Sequence, residues 1–160
     1  MSEPEKTRYL LALNASITVD PVANVTVRAL ITSDVQALAE LMLDAYIGTI
    51  DYEGETIDEA VGEVESWFNG SPILGHSYVA VVGGAFVSAV LVMMLDGLPF
   101  IAIVMTRSDS KDQGLGRYVT ATALASLSDK DEEQVALYIT DGNTPSEKLF
   151  LSLGAVPQPS

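Results

Sequence analysis

The sequence predicts an α+β fold, with helices flanking one mixed and mostly antiparallel sheet, and three features of its patterning carry that expectation. Apolar residues recur at helical spacing over residues 35–68. Between residues 77 and 106 the texture changes to short runs rich in Val and Ile. These are broken at Gly83-Gly84 and Asp96-Gly97, dipeptides that favour the tight turns joining antiparallel strands. Helix, strand and helix patterns then follow over residues 114–154. A block of strands set between helices, without strict alternation, favours α+β packing around one sheet. With 160 residues, 48% of them apolar, the chain has enough material for a single domain with a full core.

Residues 1–23 read as an extension. Tyr9, Leu10, Leu11, Ala12 and Leu13 form an apolar patch, and Ile17 and Val19 precede Pro21, so the segment has some strand character. Residues 24–160 read as the domain proper, opening with an alternating β-branched run over residues 25–30. Ser33 or Asp34 stands where a cap belongs, ahead of a helix whose apolar face is Val35, Leu38, Ala39, Met42, Ala45 and Tyr46 and which stops at Gly48. After a polar loop at residues 51–55, Thr56 and Glu59 have the spacing of a capping box. The helix they open is expected to bury Ile57, Ala60, Val61, Val64 and Phe68, with Trp67 beside them, and to end at Asn69-Gly70. Residues 85–95, the middle run of the meander, are too short to cross a bilayer and read as a buried strand. Residues 114–128 form a helix pattern, 135–140 a strand, and 145–153 a short helix closed by Gly154.

Twenty-two Asp and Glu against eight Lys and Arg give a net charge of −14. Nucleic acid and anionic lipid both require phosphate neutralisation by clustered cations, so neither is expected as a partner. No basic segment leads into an apolar one near Met1, which makes the cytoplasm the expected location. The absence of cysteine removes disulfides, thiolate metal sites and cysteine nucleophiles together. His76 is the single histidine, so no metal is expected either.

Positive charge is scarce, yet Arg107, Lys111 and Arg117 fall within eleven residues. The last two bound the segment Lys111-Asp112-Gln113-Gly114-Leu115-Gly116-Arg117, at the junction of a strand pattern and a helix pattern. Glycines there let the backbone approach an anion closely, and the free N–H groups of the first helical turn point at it. The segment lacks the Lys-Ser/Thr ending of a nucleoside-triphosphate loop and the third glycine of a dinucleotide fingerprint. It reads as a cradle for some other phosphorylated ligand.

The segment resembles the acyl-coenzyme A motif of the GNAT superfamily of N-acetyltransferases, Arg/Gln-x-x-Gly-x-Gly/Ala, with Lys111 in the basic position and Gly114 and Gly116 as the glycines. Downstream, Asn143 leads into a short helix pattern with Leu149, Phe150, Gly154 and Ala155, similar to the second signature of that family, Leu-Tyr-x-x-x-Gly-Phe. The resemblance covers residues 25–155. It implies transfer of an acetyl group from acetyl-CoA, as cosubstrate, to a primary amine. It also implies that the amides of Lys111, Asp112, Gln113, Gly114, Leu115, Gly116 and Arg117 hold the pyrophosphate. The strand edge at Val104, Met105 and Thr106 would pair with the pantetheine arm, and Asn143 would lie beside the coenzyme.

Departures from the family pattern are equally specific. The position that often carries a general-base Glu holds Phe100, and that of the Tyr returning a proton to the thiolate holds Phe150; neither ring transfers a proton. Replacement candidates are Tyr138 on the strand at 135–140, Asp141 after it, and Glu53, with Glu55, in the loop between the first two helices. Residues 51–65 carry seven acidic side chains and no base, which favours a cationic acceptor such as a polyamine, an aminoglycoside, lysine or an N-terminal amine. The family's final hairpin is truncated, five residues remaining after Ala155, so the sheet edge is expected to be covered by a strand from residues 8–19 or by a second subunit in a homodimer. Two other readings stay open: a non-catalytic acyl-CoA binding or sensing domain, and an interaction domain whose Gly-Leu-Gly is only a turn.

Overall fold

The computed structural model describes residues 5–13, 17–47, 54–130 and 132–158. Along them run β1 (Lys6–Ala12), β2 (Thr26–Ala29), α1 (Val35–Tyr46), α2 (Ile57–Asn69), β3 (Tyr78–Val82), β4 (Ala85–Leu95), β5 (Leu98–Thr106), α3 (Leu115–Ser128), β6 (Gln134–Thr140), α4 (Thr144–Ser152) and β7 (Val156–Pro157). All the strands join one sheet in the order β2-β3-β4-β5-β6-β1-β7. Every pairing is antiparallel except that of β5 with β6.

The meander follows from its turns. Gly83 and Gly84 have φ of 56° and 82°, and Asp96 and Gly97 of 52° and 80°. Two consecutive positive φ values match the twist of the flanking strands, which fixes the β3–β4 and β4–β5 hairpins. Within the second hairpin Leu91 pairs with Ile103 but Val92 with Ile101. Ala102 is therefore an extra residue on β5, a β-bulge that locally disrupts the ladder.

Each face of the sheet carries its own core. On one, α3 and α4 pack Leu115, Val119, Leu124 and Phe150 against Leu11, Val90, Val92, Val135 and Leu137. On the other, α1 and α2 pack Leu38, Met42, Ala60, Val64 and Trp67 against Val79, Ala89, Leu91 and Met105. The deep aromatic on α2 is Trp67, while Phe68, expected on the buried face, is only partly covered and meets Trp67 edge-on at 4.6 Å. The larger ring takes the space that helical periodicity alone assigned to its neighbour.

Local stops and starts differ in chemistry. Thr56 and Glu59 form the expected capping box on α2, with both bonds at 3.2 Å. Asp34 occupies the N-cap position of α1, but its carboxylate does not cap that helix. It accepts two bonds from Arg28 and one from the Ile31 N–H, each at 2.9 Å, clamping β2 to the entry of α1. The Arg28 guanidinium holds the Asp34 carboxyl below the usual range. His76 lies in a 3₁₀ turn ahead of β3, with Nδ1 2.7 Å from the Ser126 hydroxyl on α3.

The N-terminal strand inserts between β6 and β7, antiparallel to both. The strand is Lys6–Ala12, ending well short of residue 19. Leu13 then donates to the Glu133 carbonyl, and residues 17–25 return across the molecule with Ile17, Val22 and Val25 packed on the α3–α4 core. The edge of β6 is thus covered from within the chain. Among the described residues, no helix is long and apolar enough to cross a membrane.

Candidate active site

β5 and β6 pair in parallel only at Phe100↔Ala136 and Ile101↔Leu137. Beyond that point the two strands part, and the β5 edge at residues 102–106 that faces β6 pairs with no strand among the described residues. The bulge at Ala102 sits where the parting begins. A disrupted ladder beside an open strand edge leaves backbone donors and acceptors available to an extended ligand.

At the far end of β5 the chain makes a short 3₁₀ turn (Ser108–Ser110) and enters the loop before α3. Asp112 and Gly114 both adopt left-handed backbone, with φ of 63° and 79°. For Asp112 this conformation is uncommon, and it bends the loop so that α3 begins directly after Gly114. The first helical bond runs from the Tyr118 N–H to the Gly114 carbonyl at 3.0 Å. The amides of Leu115, Gly116 and Arg117 therefore lack an intrahelical acceptor and carry the positive end of the helix dipole. A β-carbon at Gly116 would stand 3.4 Å from Thr106 Oγ1, at the near edge of ordinary contact. The backbone fits an anionic ligand such as a pyrophosphate.

The three clustered cations do not converge on this loop. Arg107 pairs with Asp109 at 3.0 Å. Lys111 donates to the Ala45 carbonyl in the last turn of α1 at 3.3 Å. Arg117 bonds Ser152 on α4 at 2.6 Å and stands 3.9 Å from Asp20. Adjacency in sequence is dispersed by the turn. The loop is instead anchored by Asp44 on α1, which accepts from the Ser108 N–H at 2.7 Å and from its hydroxyl at 3.0 Å. Nothing local in the sequence marks Asp44 for that task, since its partner lies 64 residues away.

Of the other residues expected at the coenzyme site, Val104 turns to the α3 side and Met105 is buried beneath α1, so their backbone edge is what the gap exposes. Thr106 is 2.9 Å from the buried Ser88 hydroxyl. Asp112 and Gln113 are exposed, and Leu115 is buried. Asn143 caps α4, accepting from the Ser146 N–H at 3.4 Å.

Among the candidate proton carriers, Tyr138 stands at the parting of the strands, half exposed at 50%, its ring 5.7 Å from that of Phe100. Asp141 lies in the turn after β6, where its carboxylate accepts from the Thr7 hydroxyl at 2.6 Å and its N–H bonds Glu5. Glu53 lies outside the described residues. Phe150 is buried in the α3–α4 core. An open cavity of about 340 Å³ flanks α1 near Asp44, Phe86 and Arg107, but neither Phe100 nor Tyr138 lines it.

Residues 84–156 match the family model described as FR47-like protein. No curated protein matches the chain. Among solved structures, a GCN5-related N-acetyltransferase from Sphaerobacter thermophilus superposes with a TM-score of 0.71 at 16% identity, covering 97% of this chain and 49% of that one. The ribosomal-protein-S18-alanine N-acetyltransferase of Escherichia coli gives 0.67 at 16%, covering 81% and 76%. The PaiA N-acetyltransferase of Thermoplasma acidophilum, in complex with coenzyme A, gives 0.64 at 15%, covering 81% and 88%. The chain spans about half the length of the Sphaerobacter protein. The FR47-like match covers a little under half of the chain, and over most of its length the chain shares its fold with these N-acetyltransferases.

Proposed function

We propose that the protein transfers an acetyl group from acetyl-CoA to a primary amine. The observation that carries this reading is the pairing of an open β5 edge, starting at the Ala102 bulge, with a left-handed Gly114 turn at the end of the same strand. An extended arm on the edge and a pyrophosphate at the amides of residues 112–117 satisfy both features with one molecule. The structure of a similar fold with coenzyme A bound supports the same choice.

In this reading a thioester lies beside the bulge, where backbone N–H groups polarise its carbonyl. The neutral amine attacks the carbonyl carbon, the C–N bond forms and the C–S bond breaks. The nitrogen releases its extra proton to water, and the Tyr138 hydroxyl protonates the departing thiolate before recovering a proton from water. Holding both reactants at the parting of the strands supplies most of the remaining acceleration by orientation. The acidic side chains of residues 54–65, including Glu55, Asp58, Glu59, Glu63 and Glu65, favour an acceptor that arrives as a cation.

Titration calorimetry with acetyl-CoA, followed by a thiol-release assay across a panel of amines, tests the reading. Micromolar coenzyme binding and amine-dependent thiol release are expected on the order of typical cosubstrate affinities. The aromatic residues at Phe100 and Phe150 favour one other reading, a non-catalytic acyl-CoA sensor. Tight coenzyme binding with no thiol release at any pH would establish that reading instead.

A further inference from the structure

We propose that the amine acceptor also carries a carboxylate, and that Arg8 on β1 binds it. The inference rests on the transferase reading and narrows its substrate to amino acids and carboxylate-bearing peptides, against simple polyamines. It begins from register. Tyr9 and Leu11 are buried in the α3–α4 core, so the alternate residues Lys6, Arg8 and Leu10 point to the opposite face. On β6, Val135, Leu137 and Ile139 share that core, which turns Ala136, Tyr138 and Thr140 to the same face as Arg8. Arg8 pairs directly with Tyr138, and Lys6 with Thr140. Directly paired residues hold their β-carbons roughly 5 Å apart. The guanidinium is therefore one strand away from the hydroxyl placed at the reacting centre.

This half of the face is open. The core beneath α1 and α2 draws its sheet residues from β3, β4 and β5, and none from β6, β1 or β7 among the described residues. Tyr138 and Val156 are 50% and 58% exposed there. Among the arginines, charge pairing singles out one residue. Of the four arginines, Arg28, Arg107 and Arg117 each have a carboxylate within 3.9 Å. Arg8 has none among the described residues, nor does its side chain make a hydrogen bond there. In a chain with eight cations and twenty-two acids, an arginine with no carboxylate beside it among the described residues, one strand from the gap between β5 and β6, is available for an anion from outside. The negative charge of residues 54–65 attracts the amine, so a molecule bearing both charges is favoured over one bearing the amine alone.

The test uses the full chain saturated with coenzyme A and matched pairs of amines with and without a carboxylate: lysine and cadaverine, ornithine and putrescine, glycylglycine and its amide. Calorimetry is expected to give about tenfold or greater preference for the carboxylate-bearing member of at least one pair, as a charge-assisted bidentate contact would. Arg8→Gln should abolish that preference while leaving coenzyme affinity unchanged, and Arg8→Lys should restore part of it. No carboxylate preference in any pair, or a preference that survives Arg8→Gln, overturns the assignment. Thiol release measured with the same amines reports separately on the transferase reading. A protein that binds carboxylates through Arg8 yet releases no thiol keeps this inference and loses that one.

Discussion

The loop at the start of α3 and the open face around Tyr138 meet at the same gap between β5 and β6, but they are built in opposite ways. The loop is a continuous stretch whose proposed function lies in its backbone: left-handed Asp112 and Gly114, and the amides that precede the Tyr118–Gly114 bond. The face is assembled from side chains on three strands, Phe100 on β5, Tyr138 on β6 and Arg8 on β1, brought together only by strand register. A backbone site is specified by short-range sequence and has little scope for variation. A side-chain face can change its chemistry one residue at a time without altering the fold, which is how Phe100 and Tyr138 can occupy neighbouring places in a site of this kind.

That contrast can be broken from either side. The largest effect is expected from Gly114→Asp, which forces a side chain into φ of 79° and brings a carboxylate to the position proposed for the pyrophosphate. Like charges at close range in a partly desolvated loop cost about 3 kcal/mol, so acetyl-CoA affinity should fall roughly 100-fold or more by calorimetry. Unchanged affinity would move the cradle elsewhere. On the other side of the gap, Tyr138→Phe removes the hydroxyl and keeps the ring against Phe100. It should lower kcat about 100-fold, the lower bound for loss of a positioned acid, with coenzyme affinity intact. A kcat within twofold of the parent, against that ~100-fold expectation, would assign the proton transfer to another group.

Asp44 ties the loop to α1 through Ser108. Asp44→Ala should weaken coenzyme binding about fivefold, corresponding to about 1 kcal/mol for a lost loop anchor, while leaving the choice among amines unchanged. A shift in acceptor preference of similar size would show that α1 shapes both halves of the site. The smallest expected effect lies outside both. Burial first, and Lys130 second, lower the His76 pKa below its ordinary value, so the folded state favours the neutral ring. The unfolded chain then binds more protons, and the stability this group confers is present above about pH 6.5 and lost as pH falls through the lowered value. Urea midpoints should therefore fall modestly on acidification through this range, and His76→Gln should flatten that dependence. An unchanged slope in His76→Gln would assign the effect to other groups.

The parts of the fold legible in sequence were those governed by nearest neighbours along the chain. Gly83-Gly84 and Asp96-Gly97 announce hairpins because positive φ at two successive positions admits few residues. Thr56 and Glu59 announce a helix start because the box closes within four residues. The Gly114 turn belongs to the same class. Asp34 shows where this stops: a residue of capping type at a capping position turns instead to Arg28, a partner set by how β2 meets α1. Phe68 and Trp67 show it again, since periodicity identifies a buried face and packing volume decides which ring goes deeper.

By itself, then, the sequence determined the order of elements, the turns of the meander and the glycine loop, all of which are decided by backbone sterics over a few residues. Only the tertiary structure decided where the charges go. It dispersed Arg107, Lys111 and Arg117 onto Asp109, Ala45 and Ser152, and it drew Arg8 from the N-terminal strand to the side of Tyr138. Side-chain partnerships across a sheet depend on which strands lie adjacent and in which register, and one residue of slip reverses the face to which each points.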